Sequence, residues 1–378
     1  MPWKEVSVMS SRQEFVQLAD QPGANVAQLC RRFGISRNTG HKLLKRYRAE
    51  GALALKDRSR RPHRSPKRTA AVIEQHVVEL RQRTHWGGRK LHRRLRDMGL
   101  TQVPAASTIT DILRRHDLLD ATESEKHRAW QRFERSEPNQ LWQMDFKGHF
   151  ATARGRCHPL TVLDDHSRFC VSLSACANER ASTVQERLTI CFRHYGLPER
   201  MLMDNGSPWG SSGQSTMTAF TAWLIRLGIQ PCHGRPYHPQ TQGKEERFHR
   251  SLHAELLRHR HFKDLAHCQR EFDPWRDLYN FERPHEALNM QVPAQRYRAS
   301  SRDFPERLPP IEYAAHDVVR RVHAHGDIFF KGYRVPISTA LGGLHVALRP
   351  TSTDGQWQVY FCHQHITTLD LRSTAKSR

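Results

Sequence analysis

The sequence lacks any apolar run near the roughly 20 residues that a membrane-spanning helix needs, and its opening residues, MPWKEVSVMS, show no signal-peptide pattern. Its eight cysteines are scattered without a CxxC pair, so neither a disulfide framework nor a zinc knuckle is indicated. These absences predict a soluble, intracellular protein with no membrane partner. The 25 histidines are dispersed too, and we interpret most of them as basic surface groups.

Negative charge is also scarce. The 378 residues include 60 Lys and Arg against 38 Asp and Glu, which gives a net charge of +22 and an isoelectric point near 10.2. Residues 1 to 140 alone hold 29 basic and 15 acidic side chains, or +14. This excess predicts a nucleic-acid partner whose main electrostatic footprint is the N-terminal third. The length predicts two to four domains.

Residues 1 to 55 have the pattern of a helix-turn-helix domain. Asn25 and Ser36 are candidate N-caps of the second and third helices, and Gly51 ends the third helix. The N-terminal positions of such a third helix reach base edges in the major groove. The candidate DNA-binding residues there are Arg37, Asn38, Thr39, His41 and Lys42. An ordinary three-helix bundle with a basic surface is the alternative.

A basic linker follows at residues 56 to 68, where charge, proline and the lack of apolar residues exclude a packed core. Arginines on an extended arm suit a narrow minor groove. The candidates are Arg60, Arg61 and Arg64. Residues 69 to 120 then predict a second helical, helix-turn-helix-like DNA-binding domain, and residues 121 to 138 a further linker.

Two aspartates lie at the ends of predicted strands. Asp145 lies in LWQMDFKGHF, where large apolar and polar residues alternate with the period of a strand. Asp204 ends the apolar run RMLM and is followed by Asn-Gly turn chemistry. Carboxylates at strand ends can converge on a cleft. Asp164 and Asp165 are instead interpreted as part of a hairpin turn, DDHSR, and are left out of the site.

A third acid follows in HPQTQGKEERFHR, where helical geometry separates two neighbouring glutamates. Glu245 shares a stripe with Phe248 and Leu252, which predicts that it faces inward. Glu246 is the one we choose, because its face is polar and basic and carries His249, Arg250 and His253. Three clustered carboxylates repel one another without cations, and an all-oxygen ligand set suits Mg²⁺, or Mn²⁺ as its substitute. Two such ions per site can serve phosphoryl transfer.

The remaining segments complete a mixed α/β core with its helical extension, residues 139 to 300. Beyond a linker, residues 311 to 372 alternate strands with glycine turns. They predict a small C-terminal β domain, and a barrel is one arrangement that the pattern allows. Periodicity alone leaves open whether this domain is purely structural.

Four motifs follow one another along the chain: WQMDFK, MDNG, HPQTQGKEERFHR and YNFERPHEAL. Together they resemble the DDE transposases of bacterial insertion sequences, whose catalytic core resembles that of retroviral integrases. The resemblance implies an α/β RNase H-like core with N-terminal all-α helix-turn-helix modules. It places the metal-binding and catalytic triad on Asp145, Asp204 and Glu246. Asp204 and Glu246 are 42 positions apart, more than is usual in the family, so we expect a short insertion in SPWGSSGQSTM.

The resemblance implies a transposase that binds terminal inverted repeats in double-stranded DNA and catalyses Mg²⁺-dependent 3′-end cleavage and strand transfer into target DNA. Phosphates would be contacted by His238, Lys244 and Arg250. An element has two ends, so we expect a homo-oligomer, at least a dimer, in the bacterial cytoplasm and associated with the nucleoid. A non-catalytic DNA-binding regulator is the rival from another class, and a nuclease without strand transfer is the rival among enzymes.

Overall fold

The computed structural model describes residues 8–57, 68–119, 134–210, 217–233 and 243–372. It forms two compact units, Met1–Arg68 and Thr69–Arg378. The predicted minor-groove arginines Arg60, Arg61 and Arg64 lie outside the described residues.

The described part of the first unit is helical. Its helices are α1 (Val8–Ala19), α2 (Val26–Arg32) and α3 (Arg37–Glu50), followed by a 3₁₀ turn at Gly51–Leu55. The predicted caps are confirmed, because the Asn25 side chain accepts a hydrogen bond from Gln28 N and the Ser36 side chain accepts one from Thr39 N. Gly51 ends α3 with a positive φ of 63°, which glycine adopts without a Cβ clash.

A glycine inside α3 allows the helices of this unit to pack closely. Gly40 is buried although helix propensity disfavours glycine. A Cβ at this position would lie 2.9 Å from the Phe15 ring and closer still to Cys30 Sγ. Phe15 and Cys30 both belong to the apolar core of the unit. Close packing therefore requires glycine here.

We expect Gly40→Ala to destabilise the N-terminal unit. Helix propensity favours alanine by about 1 kcal/mol, but forcing an extra methyl group into a packed core costs about 1–3 kcal/mol. Hydrogen exchange of α1–α3 in the full-length protein should therefore become faster. His41→Ala, at an exposed position of the same helix, is the control. Slower exchange in Gly40→Ala would show that the close approach is not a constraint.

The second unit contains a six-stranded sheet. Its strands are β1 (Trp142–Phe146), β2 (Phe150–Thr152), β3 (Gly155–Asp164), β4 (Cys170–Cys176), β5 (Arg200–Met203) and β6 (Gln230–His233). β1 pairs antiparallel with β3, which also pairs with β2 and β4. β1, β5 and β6 are parallel neighbours. Their carboxyl ends therefore meet at one edge of the sheet.

Helices cover both faces of this sheet. They are α7 (Ala181–Tyr195), α8 (Ala219–Arg226), α9 (Gly243–Glu255) and α10 (Leu265–Asp277), the last followed by a π-helical turn at Leu278–Glu282. Consecutive strand residues face opposite sides, so Val162 packs with α7 and α8 whereas Leu163 packs with α9 and α10. The predicted α/β core is confirmed.

The second helical module packs against this core. Its helices are α4 (Ala71–Thr84), α5 (Gly88–Asp97) and α6 (Ala106–Arg115). Arg83 and Arg94 both contact the Glu282 carboxylate, at 3.3 and 2.7 Å. Leu278 packs against the apolar cluster of the module. These contacts join the module to the π-helical turn that follows α10.

The C-terminal region is a β domain, as predicted. Its strands are β7 (Val318–Arg321), β8 (Asp327–Phe330), β9 (Tyr333–Pro336), β10 (His345–Pro350), β11 (Gln356–Phe361) and β12 (Gln364–Asp370). They form a four-stranded sheet in the order β12-β11-β10-β7 and a separate β8–β9 hairpin. Ala222 and Ile225 of α8 join the apolar core of this domain, which attaches it to the α/β core.

Candidate functional site

Two aspartates lie side by side at the carboxyl edge of the sheet. The parallel register pairs Trp142 with Met201 and Gln143 with Leu202. Continued by two residues, the same register places Asp145 next to Asp204, which directly follows β5. The predicted convergence of these two strand ends is therefore present in the structure.

The pKa of Asp145 is raised by burial and by this neighbour. Its side chain is 27% exposed, and burial raises the pKa of Asp145 to about 6, with a further contribution from the charge of Asp204. A backbone hydrogen bond from Phe146 opposes the shift. Asp204 is exposed, and its Oδ1 accepts a hydrogen bond from Asn205 N at 2.7 Å. The edge thus combines one half-buried carboxylate with one accessible carboxylate.

The two glutamates of α9 face in different directions. The Glu245 side chain is 1% exposed and continues the buried stripe of Phe248 and Leu252, as helical geometry predicted. The Glu246 side chain is 70% exposed and lies 3.8 Å from the Arg250 guanidinium. The structure therefore places Glu245 toward Asp145 and Glu246 on the solvent face of the helix.

A threonine hydroxyl joins Glu245 to the strand that carries Asp145. Thr161 lies opposite Asp145 in the β1–β3 ladder. Its Oγ1 is 3.0 Å from the Asp145 carbonyl oxygen, 2.9 Å from Glu245 Oε2 and 2.9 Å from His249 Nε2. One hydroxyl proton can serve only one of three acceptors. Since the Asp145 carbonyl cannot donate, all three contacts are hydrogen bonds only if Glu245 and His249 donate.

The environment of both side chains agrees with that arrangement. Burial, with a further contribution from Asp145, raises the pKa of Glu245 well above its ordinary value. Burial, with a further contribution from Lys147, lowers the pKa of His249 to about 4. Both shifts favour the uncharged side chain, and in that form the Glu245 carboxyl group carries a proton that it can donate. Sequence reasoning did not identify Thr161, because the signal is a contact between distant positions. It placed His249 on the polar face of Glu246, whereas the structure largely buries the His249 side chain beside Glu245 and Thr161.

The carboxylates suit a divalent cation, although the structure does not gather the whole predicted triad. Within residues 8–57, 68–119, 134–210, 217–233 and 243–372, no three His, Cys, Asp or Glu side chains form a metal-binding cluster. Asp145 and Asp204 nevertheless present carboxylate oxygens from adjacent strand ends, and their mutual repulsion would be relieved by a cation. The donor chemistry of this pair fits Mg²⁺.

The basic residues predicted around the triad have different surroundings. The Lys244 ammonium pairs with the buried Asp165 carboxylate and is 16% exposed, and burial lowers the pKa of Lys244 to about 8. Arg250 is exposed on α9. His238 lies outside the described residues, as do residues 211–216 of the expected insertion.

The five candidate contacts on α3 are all accessible. The exposed side chains at the start of this helix are Arg37, Asn38, Thr39, His41 and Lys42. Their exposure leaves them available to a partner. It is the property that a recognition helix requires.

A basic groove of about 550 Å³ lies beside the site. Lys147, two residues after Asp145 on the chain, lines it together with His253 of α9 and Arg260. Phe150 and Phe262 also line the groove, and their rings lie 5.1 Å apart. Both rings pack in the core with α9 and α10, so the basic side chains are the groups that suit the phosphates of a nucleic-acid strand. The groove was not evident from the sequence because its residues come from separate segments.

The aspartates of the hairpin turn have structural partners. Asp164 accepts hydrogen bonds from Asn139 N and from the Ser167 backbone and hydroxyl. Asp165 accepts hydrogen bonds from Gln143 Nε2 at 2.6 Å and from the Lys244 ammonium. Both side chains are buried. The geometry agrees with their interpretation as turn residues.

We expect Asp165→Asn to destabilise the core, because the largely buried Lys244 ammonium would lose its charged partner. Breaking one side of a buried ion pair costs about 3–5 kcal/mol. Thermal unfolding of the full-length protein should show a lower midpoint for the core transition. Glu246→Gln, at an exposed position, is the control and should change stability by less than about 0.5 kcal/mol. An unchanged midpoint would show that the ion pair with Lys244 does not contribute to the stability of the core.

Family models match successive parts of the chain. An integrase core domain matches residues 135–239 and a second integrase core model matches 227–293. The C-terminal domain of IS481 family transposases matches residues 317–377. The chain carries the domains of an insertion-sequence transposase with an integrase-like core. At its N-terminal side, a helix-turn-helix domain matches residues 11–63 and a homeodomain-like domain matches residues 39–113.

Two bacterial relatives are insertion-element proteins. The chain is 32% identical over 162 residues to the insertion element IS476 uncharacterized 39.2 kDa protein of Xanthomonas euvesicatoria, covering 42% of this chain and 44% of that protein. It is 27% identical over 158 residues to the insertion element IS407 uncharacterized 31.7 kDa protein of Burkholderia multivorans, covering 42% and 55%. The chain thus spans about half the length of these relatives.

Retroviral proteins also match this chain. The Gag-Pro-Pol polyprotein of simian retrovirus SRV-2 is 35% identical over 115 residues, which are 30% of this chain and 6% of that protein. A simian T-cell lymphotropic virus intasome in complex with a PP2A regulatory subunit has a TM-score of 0.40 at 13% identity, covering 80% and 98% of the two chains. The HTLV-2 integrase catalytic core with magnesium has a TM-score of 0.33 at 16% identity, covering 43% and 97%.

The described helices were also compared with the length and hydropathy that a membrane span requires. None of them is both long enough and apolar enough to cross a bilayer.

Proposed function

We propose that this protein is a DNA transposase of the DDE type. It binds the terminal inverted repeats of a mobile element, cleaves at the 3′ ends and transfers the strands into target DNA. The observation that carries the proposal is the position of Asp145 beside Asp204 at the carboxyl edge of the sheet, within the segment matched by the integrase core model. Glu246, on the exposed face of α9, supplies the third acid.

These three acids would hold Mg²⁺, or Mn²⁺ as its substitute, with two ions per site. The raised pKa of Asp145, caused by burial and by Asp204, supports this assignment because a nearby cation would favour the charged carboxylate. When bound, the cations would stabilise the negative charge that develops on the phosphate oxygens during transfer.

The reaction consists of two phosphoryl transfers. Water attacks the phosphodiester at the element end, and the bond to the 3′ oxygen breaks to leave a free 3′-hydroxyl. That hydroxyl then attacks a target phosphodiester and displaces the adjoining strand. Both steps exchange one P–O bond for another, so no covalent enzyme intermediate is required. The chain's own part is to hold the attacking oxygen and the phosphodiester in the orientation in which they react.

Basic side chains near the carboxylates would position the phosphates. Arg250 is exposed one helical turn from Glu246. Lys147 and Arg260 line the adjacent groove, where a strand leaving the site could run. Lys244 would contact phosphate only after leaving Asp165, and His238 is proposed on the sequence alone.

The helical modules would recognise the element ends as double-stranded DNA. Arg37, Asn38 and Thr39 lie exposed at the start of α3, where a recognition helix contacts base edges. The two ends of an element must be processed together, so we propose a homo-oligomer, at least a dimer. The proposed location is the bacterial cytoplasm, in association with the nucleoid.

We expect Asp145→Asn and Glu246→Gln each to abolish cleavage and joining while preserving binding to element ends. Losing a member of a catalytic set that acts as a unit lowers the rate by roughly three orders of magnitude or more. The assay is strand transfer with labelled duplexes from the ends flanking the gene, in Mg²⁺ and in Mn²⁺, beside end binding by electrophoretic mobility. Glu186→Gln, at an exposed position on α7, is the matched control.

The alternatives give different results in the same assay. End binding by the wild type without cleavage in either cation would favour a DNA-binding regulator. Cleavage without joining would favour a nuclease. A variant that loses binding and chemistry equally would contradict the role assigned to its residue.

Arg37→Ala should reduce the preference for the cognate end. A bidentate contact between arginine and guanine contributes about 1–3 kcal/mol of discrimination. The measurement is the ratio of dissociation constants for the cognate end and a scrambled duplex at fixed salt. Lys45→Ala, exposed later on the same helix, should keep that ratio. An unchanged ratio in Arg37→Ala would move recognition to the second helical module.

A further inference from the structure

Glu245 is buried at a position where an apolar side chain would pack well. It continues the stripe of Phe248 and Leu252, which face the core of α9 and α10. Its Oε1 has no hydrogen-bond partner within the described part of the chain. A buried carboxyl group with an unpaired oxygen lowers stability relative to an apolar side chain of similar size. Folding of the helix therefore does not explain a glutamate here.

The other oxygen of Glu245 has a specific partner. Glu245 Oε2 and His249 Nε2 both lie 2.9 Å from the Thr161 hydroxyl oxygen. The two residues are one helical turn apart, so they contact the hydroxyl from the same face of α9. Thr161 in turn donates to the Asp145 carbonyl oxygen at 3.0 Å. A continuous set of hydrogen bonds thus runs from α9 to the backbone of Asp145.

His249 also lies beside the Asp145 carboxylate itself. Its Nδ1 is 4.0 Å from Asp145 Oδ2, too far for a direct hydrogen bond. The His249 side chain is only 13% exposed, so its ring is packed next to the carboxylate. Glu246 lies between Glu245 and His249 on the same helix. The contacts that hold α9 therefore also determine where Glu246 lies relative to Asp145.

We propose that Thr161, Glu245 and His249 are positioning residues that hold the first turns of α9 against the strand carrying Asp145. Glu245 acts through its hydrogen bond to Thr161 and is not itself a cation ligand. The inference rests on the proposed function, because it assumes that Asp145 and Glu246 act together. Outer-sphere groups of this kind typically change metal affinity or activity by about 10–100-fold when they are removed.

Two pairs of variants of the full-length protein test this role. Glu245→Leu and Thr161→Val remove the hydrogen bonds and keep the size of the side chain. Glu245→Gln and Thr161→Ser keep a group that can make them. Each variant is measured for its thermal midpoint without cation, for the rise in that midpoint on adding Mn²⁺ alone, and for DNA cleavage. A ligand that binds the folded state raises its midpoint, so the Mn²⁺ effect needs no DNA.

We expect Glu245→Leu to match or exceed the wild-type midpoint without cation, since it removes a buried carboxyl group. Glu245→Leu and Thr161→Val should each need about 10–100-fold more Mn²⁺ for the same rise in the midpoint. Their rates of DNA cleavage should fall by a similar factor. Glu245→Gln and Thr161→Ser should restore most of both. A purely structural role would instead lower the midpoint and leave the Mn²⁺ effect unchanged.

Three results would overturn the inference. In the first, Glu245→Leu and Thr161→Val keep the wild-type Mn²⁺ effect and cleavage. In the second, Glu245→Gln loses the Mn²⁺ effect as completely as Glu246→Gln does, which would make Glu245 a ligand. In the third, the wild type shows no Mn²⁺ effect, so that there is no cation site to support. Absence of cleavage alone, with the Mn²⁺ pattern as expected, would count against the proposed function and support the positioning role.

Discussion

The parallel pairing of β1 with β5 determines where the candidate site lies. It brings two strand ends to one edge of the sheet and places the half-buried Asp145 beside Asp204. Folding gains nothing from this arrangement, because the charge of Asp204 contributes to raising the pKa of Asp145. Such repulsion is typical of functional sites, where a bound cation or substrate relieves it. Helices on both faces hold this edge of the sheet in place.

Features decided within a few residues could be predicted from the sequence. Asn25 and Ser36 cap their helices because a short polar side chain reaches the free backbone amides two or three positions ahead. Helical geometry alone also predicted that Glu245 faces inward and that Glu246 lies on a polar, basic face, although it grouped the largely buried His249 side chain with Glu246. What Glu245 meets inside could not be predicted, because Thr161 is 84 positions away along the chain. The direction of a side chain is local information, whereas its partner is not.

The partner of a charged side chain is equally hard to predict from the sequence, as Lys244 shows. In the sequence it is one more cation in a basic segment, which favoured a phosphate contact. In the structure it pairs with Asp165, 79 positions away. Asp165 itself was interpreted as a turn residue from its local context, and its burial agrees with that interpretation. Net charge therefore indicates a class of partner, but it does not predict which cations remain free to bind it.

The two helical modules differ in their relation to the core. The first belongs to the compact unit that ends at Arg68, whereas the second belongs to the unit that contains the carboxylates. Arg94 of α5 contacts Glu282 at 2.7 Å, and Leu278 packs in the apolar cluster of the module. DNA held by the second module would therefore be presented to Asp145 through packed contacts, with little freedom to reorient. A short, stiff connection of this kind raises the effective concentration of a bound end at the site. Under the proposed function, this attachment suits the second module to set the point of cleavage, and it leaves the first module to add affinity and sequence preference.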